Sequence, residues 1–148
     1  MTEKRIGALR EILSKAAARD EELQHELDGL AGELLKELGC DDTTPAWAEI
    51  KAADKERQVN PRFVMADQWL RGDLVITVTP EQTFVVGLLI REGPHKTHEA
   101  GTLLQRSQTL IIDPPDPSDR ATARKKFFDR VFASLEVQLR DRVALPAT

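Results

Sequence analysis

The chain begins with the stretch that decides its fold, residues 2–38, TEKRIGALREILSKAAARDEELQHELDGLAGELLKEL. Its apolar residues recur at alternating spacings of three and four, which places them on one face of an α-helix because one turn takes 3.6 residues. In heptad notation, eight of the ten a and d positions are apolar. The ten positions are Ile6, Leu9, Leu13, Ala16, Asp20, Leu23, Leu27, Leu30, Leu34 and Glu37.

This pattern predicts one amphipathic, coiled-coil-like helix over residues 1–39. No proline interrupts residues 1–38, and Gly39 is a typical residue just after the end of a helix. At 1.5 Å per residue the helix is about 54 Å long, which exceeds the width of a small domain. We therefore expect part of its apolar face to extend past the rest of the chain.

Asp20 interrupts the apolar face in the middle of this helix. A buried carboxylate is costly unless it is paired. The helix is therefore expected either to meet a basic group there, such as Arg19 of a second chain, or to bend over residues 18–22 into a helical hairpin. We favour the continuous helix, because Ala17 and Ala18 are poor turn residues.

Residues 40–148 are predicted to form a small α+β domain that makes one structural unit with the helix. Thr44 and Pro45 resemble a helix start and predict a short helix to about Arg57, with Trp47 and Ile50 on its buried side. Residues 62–71 predict a third helix that ends at Gly72. The alternative for 62–71 is a strand in which Phe63, Met65, Asp67 and Trp69 alternate with their neighbours.

A β-meander of three or four antiparallel strands is predicted from residues 74–112. Residues 74–79 alternate as in a half-buried strand, and 83–91 are apolar on both faces, which suggests a central strand with helices on at least one side. Turns are expected at 80–82, at 93–94 and at 106–108.

A second long helix is predicted after the proline-rich connector at 113–117. Asp116 is a suitable N-cap and Pro117 a suitable first residue for it. The helix should run from about Ser118 to Val143, with an apolar face on one side. That face consists of Phe128, Val131, Phe132, Leu135, Leu139 and Val143. The predicted fold class is therefore α+β.

Composition narrows the classes of protein that the chain can represent. It has 148 residues, enough for one domain, and a net charge of −4 that is unevenly distributed, at −5 over 1–60 and +2 over 116–148. Aromatic residues make up 5%, and Cys40 is the only cysteine. We expect a cytoplasmic protein without cofactor or membrane partner, since 1–10 lack a signal-peptide core and no stretch approaches a transmembrane length.

Few residue patterns point to catalysis or metal binding. His95 and His98, followed by Glu99, are candidate metal ligands, but we favour a polar hairpin tip because they follow a Gly-Pro turn rather than lying on a helix. Asp113, Asp116 and Asp119 form an acidic group, and capping of the last helix explains Asp116 and Asp119. Cys40 stands beside two aspartates, which oppose thiolate formation.

The last helix carries the basic group that favours nucleic-acid binding most. Phosphate contacts need clustered cations, and Arg120, Arg124, Lys125 and Arg130 provide them together with Lys126. The alternative is a solvated helix face or a partner for the acidic N-terminal helix. Because the whole chain is acidic, we do not expect nucleic acid to be its partner.

The heptads therefore give the leading functional hypothesis, a non-enzymatic interaction protein. It would be a homodimer that serves as an adaptor, chaperone or regulatory subunit and also binds another protein. The expected partner-binding residues are Ile6, Leu9, Leu13, Leu23, Leu27, Leu30 and Leu34. A ligand-binding, metal-binding or enzymatic domain with a pocket near Trp47, Trp69, His95 and His98 is the second hypothesis. Nucleic-acid binding is the third.

Overall fold

The computed structural model describes residues 2–49, 62–65 and 67–144, and its class is α+β, as predicted. Two long helices accompany a six-stranded antiparallel sheet of order β1-β3-β4-β5-β6, in which β2 also pairs with β3. The elements are α1 (Thr2–Glu37), β1 (Ala46–Trp47), β2 (Arg62–Val64), β3 (Leu70–Thr79), β4 (Gln82–Glu92), β5 (His98–Thr102), β6 (Leu110–Ile111) and α2 (Pro117–Ala144). Short 3₁₀ turns lie at Pro94–Lys96 and Leu103–Gln105.

Helix α1 is continuous, which confirms the prediction of one long helix and excludes the bend near Asp20. It ends where the sequence indicated, because Gly39 adopts a positive φ of 80° that favours glycine. The Gly39 and Cys40 amides donate to the carbonyls of Lys36 and Leu35, at 3.0 Å each. This is the Schellman arrangement, which satisfies carbonyls that the helix end would leave unpaired.

Both predicted short helices need correction. The helix expected from Thr44 to Arg57 is not formed at Ala46–Trp47, which is strand β1. The later part of that predicted helix, including Ile50, falls at residues 50–61, which lie outside the described residues. The helix predicted over 62–71 is wrong. Arg62–Val64 is strand β2, which folds back on β3 through a turn where Gln68 has a φ of 74°. The local sequence pattern favoured a helix over residues 62–71, but pairing with β3 overrides that preference. Residues 62–64 therefore match the alternative prediction of a strand.

The meander follows the predicted turns. β3 and β4 form a hairpin in which Leu74 faces Val86 and Thr79 faces Gln82, so the turn lies at 80–81. β4 and β5 are joined through Gly93, whose amide donates to the carbonyl of Thr97 at 2.8 Å. The sheet is wider than the predicted three or four strands because β1 and β2 add to the β3 edge.

The core lies on one face of this sheet. Alternate residues of β3 and β4 point inward, and both helices pack against them in a single cluster. Helix α2 begins as predicted, with Asp116 Oδ1 accepting from the Ser118 amide at 3.0 Å and Pro117 as first residue. The inward strand residues are Leu70, Leu74, Ile76, Val86, Leu88 and Ile90, and the helices contribute Leu23, Leu27, Leu30, Leu34, Phe127, Phe128, Val131 and Leu135.

The outward face of the sheet carries two ion pairs, and Leu89 of β4 is fully buried on this face. Arg71 Nε contacts Asp73 Oδ1 at 2.9 Å, and Arg91 Nε contacts Glu99 Oε2 at 2.9 Å. Within the described residues, neither helix contains a stretch apolar and long enough to cross a membrane.

The edge strands are attached to α1 by Trp47. Its ring packs over Gly72 and its Nε1 donates to Asp28 Oδ1 at 3.1 Å. Arg62 donates to the same carboxylate at 2.7 Å and lies 5.5 Å from the Trp47 ring centre. The contact requires glycine at 72, because a Cβ there would lie 2.7 Å from Trp47 Cζ3 and 3.0 Å from Leu27 Cδ2.

We therefore expect Gly72→Ala to lower the free energy of unfolding by about 1–3 kcal/mol, the usual cost of overpacking a core. Urea denaturation followed by circular dichroism measures it. Gly29→Ala is the matched control, since a Cβ at 29 meets nothing within 4 Å and removing a helical glycine stabilises by up to about 1 kcal/mol. Equal effects of the two substitutions would contradict the Trp47 contact.

The Glu99 carboxylate makes stability depend on pH. Burial raises its pKa, but the hydrogen bond from Thr109 and the hydrogen bond and charge of Arg91 outweigh burial, so that the pKa lies below its ordinary value of 4.5. A carboxyl whose pKa falls on folding stabilises the fold above its unfolded pKa and loses that contribution as pH drops through its folded pKa.

Wild type should therefore exceed Glu99→Gln in free energy of unfolding at pH 6–7, and the difference should shrink as the pH falls below 4.5. Urea denaturation of both proteins between pH 3 and pH 7 tests this. A difference that stays constant, or that grows toward low pH, would show that the Glu99 charge does not stabilise the fold.

Candidate protein interaction site

The apolar face of α1 divides into a covered half and an exposed half. Leu23, Leu27, Leu30 and Leu34 lie at most 2% exposed in the core of the chain itself. The sheet therefore occupies four of the seven residues expected to bind a partner. The first half of the same face is open, with exposed fractions of 45% for Ile6, 58% for Leu9, 62% for Ile12 and 68% for Leu13.

We refer to residues 2–19 of α1 as the tip. Every residue from Lys4 to Lys15 is exposed, so this part of the helix extends away from the sheet. Its 18 residues span about 27 Å. Ile6, Leu9 and Leu13 follow the i, i+3, i+7 spacing by which a helix enters an apolar groove. Ile12 was not among the predicted contacts because it lies beside the a and d positions, although its exposure makes it part of the same surface.

Charge is distributed unequally along α1. The tip holds five basic and two acidic residues, for a net charge of +3. Residues 20–37 hold seven acidic residues and one basic residue, for a net charge of −6. One helix thus carries a basic half and an acidic half, and the basic half is the one that stands free.

Arg19 and Asp20 lie where the exposed half of the apolar face meets the covered half. Arg19 Nη2 is 3.7 Å from Asp20 Oδ1, too far for a hydrogen bond. Arg19 Nε and Asp20 Oδ1 are buried atoms that have no hydrogen-bond partner among the described residues. Buried polar groups of this kind are costly unless another group satisfies them.

An apolar cleft of about 700 Å³ opens at the opposite end of α1. It lies between the end of α1, the β3–β4 hairpin and the last turns of α2, and Asp41, Glu136 and Arg140 line it together with Cys40. Phe132 and Leu139 remain 53% and 40% exposed in it, although both belong to the predicted apolar face of α2. The main apolar lining residues are Leu38, Ile76, Phe84, Phe132, Leu135 and Leu139.

We refer to this cleft as the end cleft. Its volume and its apolar lining are typical of sites that hold an apolar group. The sequence contained no sign of it, because its walls come from three segments that are far apart in the chain. Burial, then the charge of Asp41, raise the pKa of the Cys40 thiol above its ordinary value. This thiol is therefore a poor nucleophile, as expected from its acidic neighbours.

The two candidate metal ligands are separated by the fold. His98 is buried, and its backbone amide and ring Nδ1 both contact Asp113, the ring nitrogen at 2.5 Å from Oδ2. His95 is exposed in a left-handed turn with a φ of 56°. No group of three metal-ligating side chains occurs in the described part of the chain. His98 and Asp113 instead attach β5 to the connector that precedes α2.

The basic residues of α2 divide between two surfaces. Arg120 Nε donates to the Pro114 carbonyl at 2.8 Å, and Arg124 is paired with Glu33 of α1. Lys125 and Lys126 are exposed and Arg130 is half-buried, and these three line one surface depression together with Asp129. Arg120 and Arg124 also line a cavity of about 450 Å³ together with His95, Lys96, Glu26 and Asp113, so charges of both signs meet there. Arg124 pairs with the acidic helix, as the alternative to nucleic-acid binding anticipated.

The two tryptophans do not share a pocket. Trp47 faces α1 across Gly72, whereas Trp69 packs against Arg91, whose guanidinium lies 4.3 Å from the ring centre on the outward side of the sheet. The ligand pocket expected near both tryptophans and both histidines is thus not assembled by these residues.

Comparison with protein-family models, with curated proteins and with solved structures finds no match to this chain. The function is therefore argued from the tip, the end cleft and the charges of α1.

Proposed function

We propose that this chain is a non-enzymatic protein-interaction module that forms a homodimer through the tip of α1 and serves as an adaptor, chaperone or regulatory subunit. The observation that carries the proposal is the exposure of Ile6, Leu9, Ile12 and Leu13 on one side of a helix that stands away from the sheet. Contiguous exposed apolar surface of this kind marks sites of protein association.

The tip belongs to the same apolar face that holds the core together farther along α1. From Leu23 onward that face is covered by β3 and β4, whereas before Arg19 it has no cover from the described residues. Covering apolar surface contributes roughly 25 cal/mol per Å². A partner that covers the tip would therefore extend the packing that already stabilises the second half of the helix.

The charges of α1 favour a second copy of the chain as that partner. The tip carries a net charge of +3, and residues 20–37 of the same helix carry −6. Asp28 and Glu33 already contact Arg62 and Arg124 of the same chain, so the remaining carboxylates of residues 20–37 form the acidic segment that complements the basic tip of a second copy. Complementary charge of this kind orients two partners and disfavours pairings that bring like charges together.

The cytoplasm is the compartment that we propose for the dimer. A single half-buried thiol with a raised pKa supports this proposal, because such a cysteine has no need of an oxidising environment.

The test is the mass in solution of Leu9→Asp combined with Leu13→Asp, measured by size-exclusion chromatography with light scattering. Wild type should have about twice the mass of the 16.6 kDa chain, and the variant should have the mass of one chain. Both side chains are exposed, so the variant should keep the wild-type circular dichroism spectrum. Substitutions at Leu23 or Leu27 would unfold the core and are unsuitable.

Val85→Asp combined with Leu104→Asp is the matched control, since both residues are exposed but lie on the sheet and its 3₁₀ turn rather than on the tip. This control should remain a dimer. A wild-type protein that is monomeric at tens of micromolar, or a tip variant that stays dimeric, would refute the proposal.

A further inference from the structure

We infer that the dimer is antiparallel and reciprocal, with the tip of each copy docked in the end cleft of the other. The inference rests on the proposed homodimer and adds its arrangement and the surface that receives the tip. Its starting point is that the tip and the end cleft, the two exposed apolar surfaces described above, lie at opposite ends of the same helix.

The position of the two surfaces favours an antiparallel pair. When two helices of equal length lie side by side in opposite directions, the start of each reaches the end of the other. Leu38, one residue after α1, lines the end cleft, so the tip of one copy would lie at the cleft of its partner. A single two-fold axis then places each tip in the end cleft of the other copy, so that neither surface stays open.

The shapes of the two surfaces are complementary. The tip is a convex row of branched apolar side chains, and the end cleft is a concave site whose exposed rings and methyl groups come from Phe132, Leu139 and Val78. The basic residues Arg5 and Arg10 flank the apolar row of the tip. Asp41 and Glu136 line the cleft, against one arginine.

The charges at the two ends of α1 also fit this antiparallel pairing. Placing Ile6 and Leu9 beside the partner's Leu38 makes the numbers of neighbouring residues sum to between 44 and 47, since both helices rise equally per residue. Arg5 then lies near the partner's Asp41, and Arg10 lies near the partner's Glu37. A parallel pair would instead place the basic tips side by side.

Cys40 makes the arrangement measurable, because it is the only cysteine and lines the end cleft. In Leu9→Cys, a short bismaleimide added at slightly alkaline pH should link the introduced cysteine of one copy to Cys40 of the other. The expected result is a covalent dimer on a denaturing gel, with the linked pair identified by mass spectrometry of its peptides. Adding Cys40→Ser to Leu9→Cys should abolish that link.

Val85→Cys is the matched control, since its exposed side chain lies on the outward face of the sheet, and it should give no link to Cys40. A link between the two introduced cysteines of Leu9→Cys would overturn the antiparallel arrangement. A dimer by light scattering that shows no link to Cys40 would overturn docking in the cleft. A monomer would overturn the proposed function itself.

A charge exchange tests the register separately. Arg10→Glu places like charges opposite the partner's Glu37 at two symmetric positions, so the dimer dissociation constant should rise several-fold. Arg10→Glu combined with Glu37→Arg should restore it, and Lys126→Glu, an exposed residue of α2, should leave it unchanged. Failure of the double variant to recover would overturn this pairing while leaving the homodimer in place.

Discussion

The packing of the second half of α1 against the inward face of β3 and β4 is the contact on which the rest of the structure depends. Leu27, Leu30 and Leu34 are fully covered there, and α2 joins the same cluster through Val131 and its neighbours. Because this contact begins near Leu23, none of the described residues covers the helix before Arg19. The exposed tip follows from a sheet that covers the helix only from about Leu23 onward.

Periodicity in the sequence predicted those parts of the fold that local pattern determines. The alternating spacings of three and four give α1, Gly39 ends it, and Asp116 with Pro117 begins α2. The hairpin of β3 and β4 follows from alternation and a turn at Pro80. In each case the residues that carry the information lie within one element or at its ends, so that no distant contact is needed to interpret them.

Contacts between distant residues account for what the sequence did not reveal. Residues 62–64 have no strand period strong enough to exclude a helix, and only their pairing with Leu70–Gly72 decides the matter. The His98–Asp113 contact joins residues that are fifteen positions apart. From the sequence alone, this role of His98 could not be distinguished from a place in a polar hairpin tip. The end cleft takes its walls from three segments that are far apart in the chain, and the division of the α1 face depends on where the sheet ends.

The continuity of α1 through Arg19 and Asp20 has a consequence for local stability. Opening the helix from Lys4 to Lys15 exposes no core residue, whereas opening it past Leu23 requires the sheet to release its inward face. Amide protons along one unbroken helix should therefore exchange in two regimes, fast and local in the tip of a free chain, and slow with the global unfolding of the core beyond it. The boundary between the two regimes lies between Lys15 and Leu23. Exchange rates in the tip, compared with those of the core in the same helix, therefore report whether a partner covers the tip.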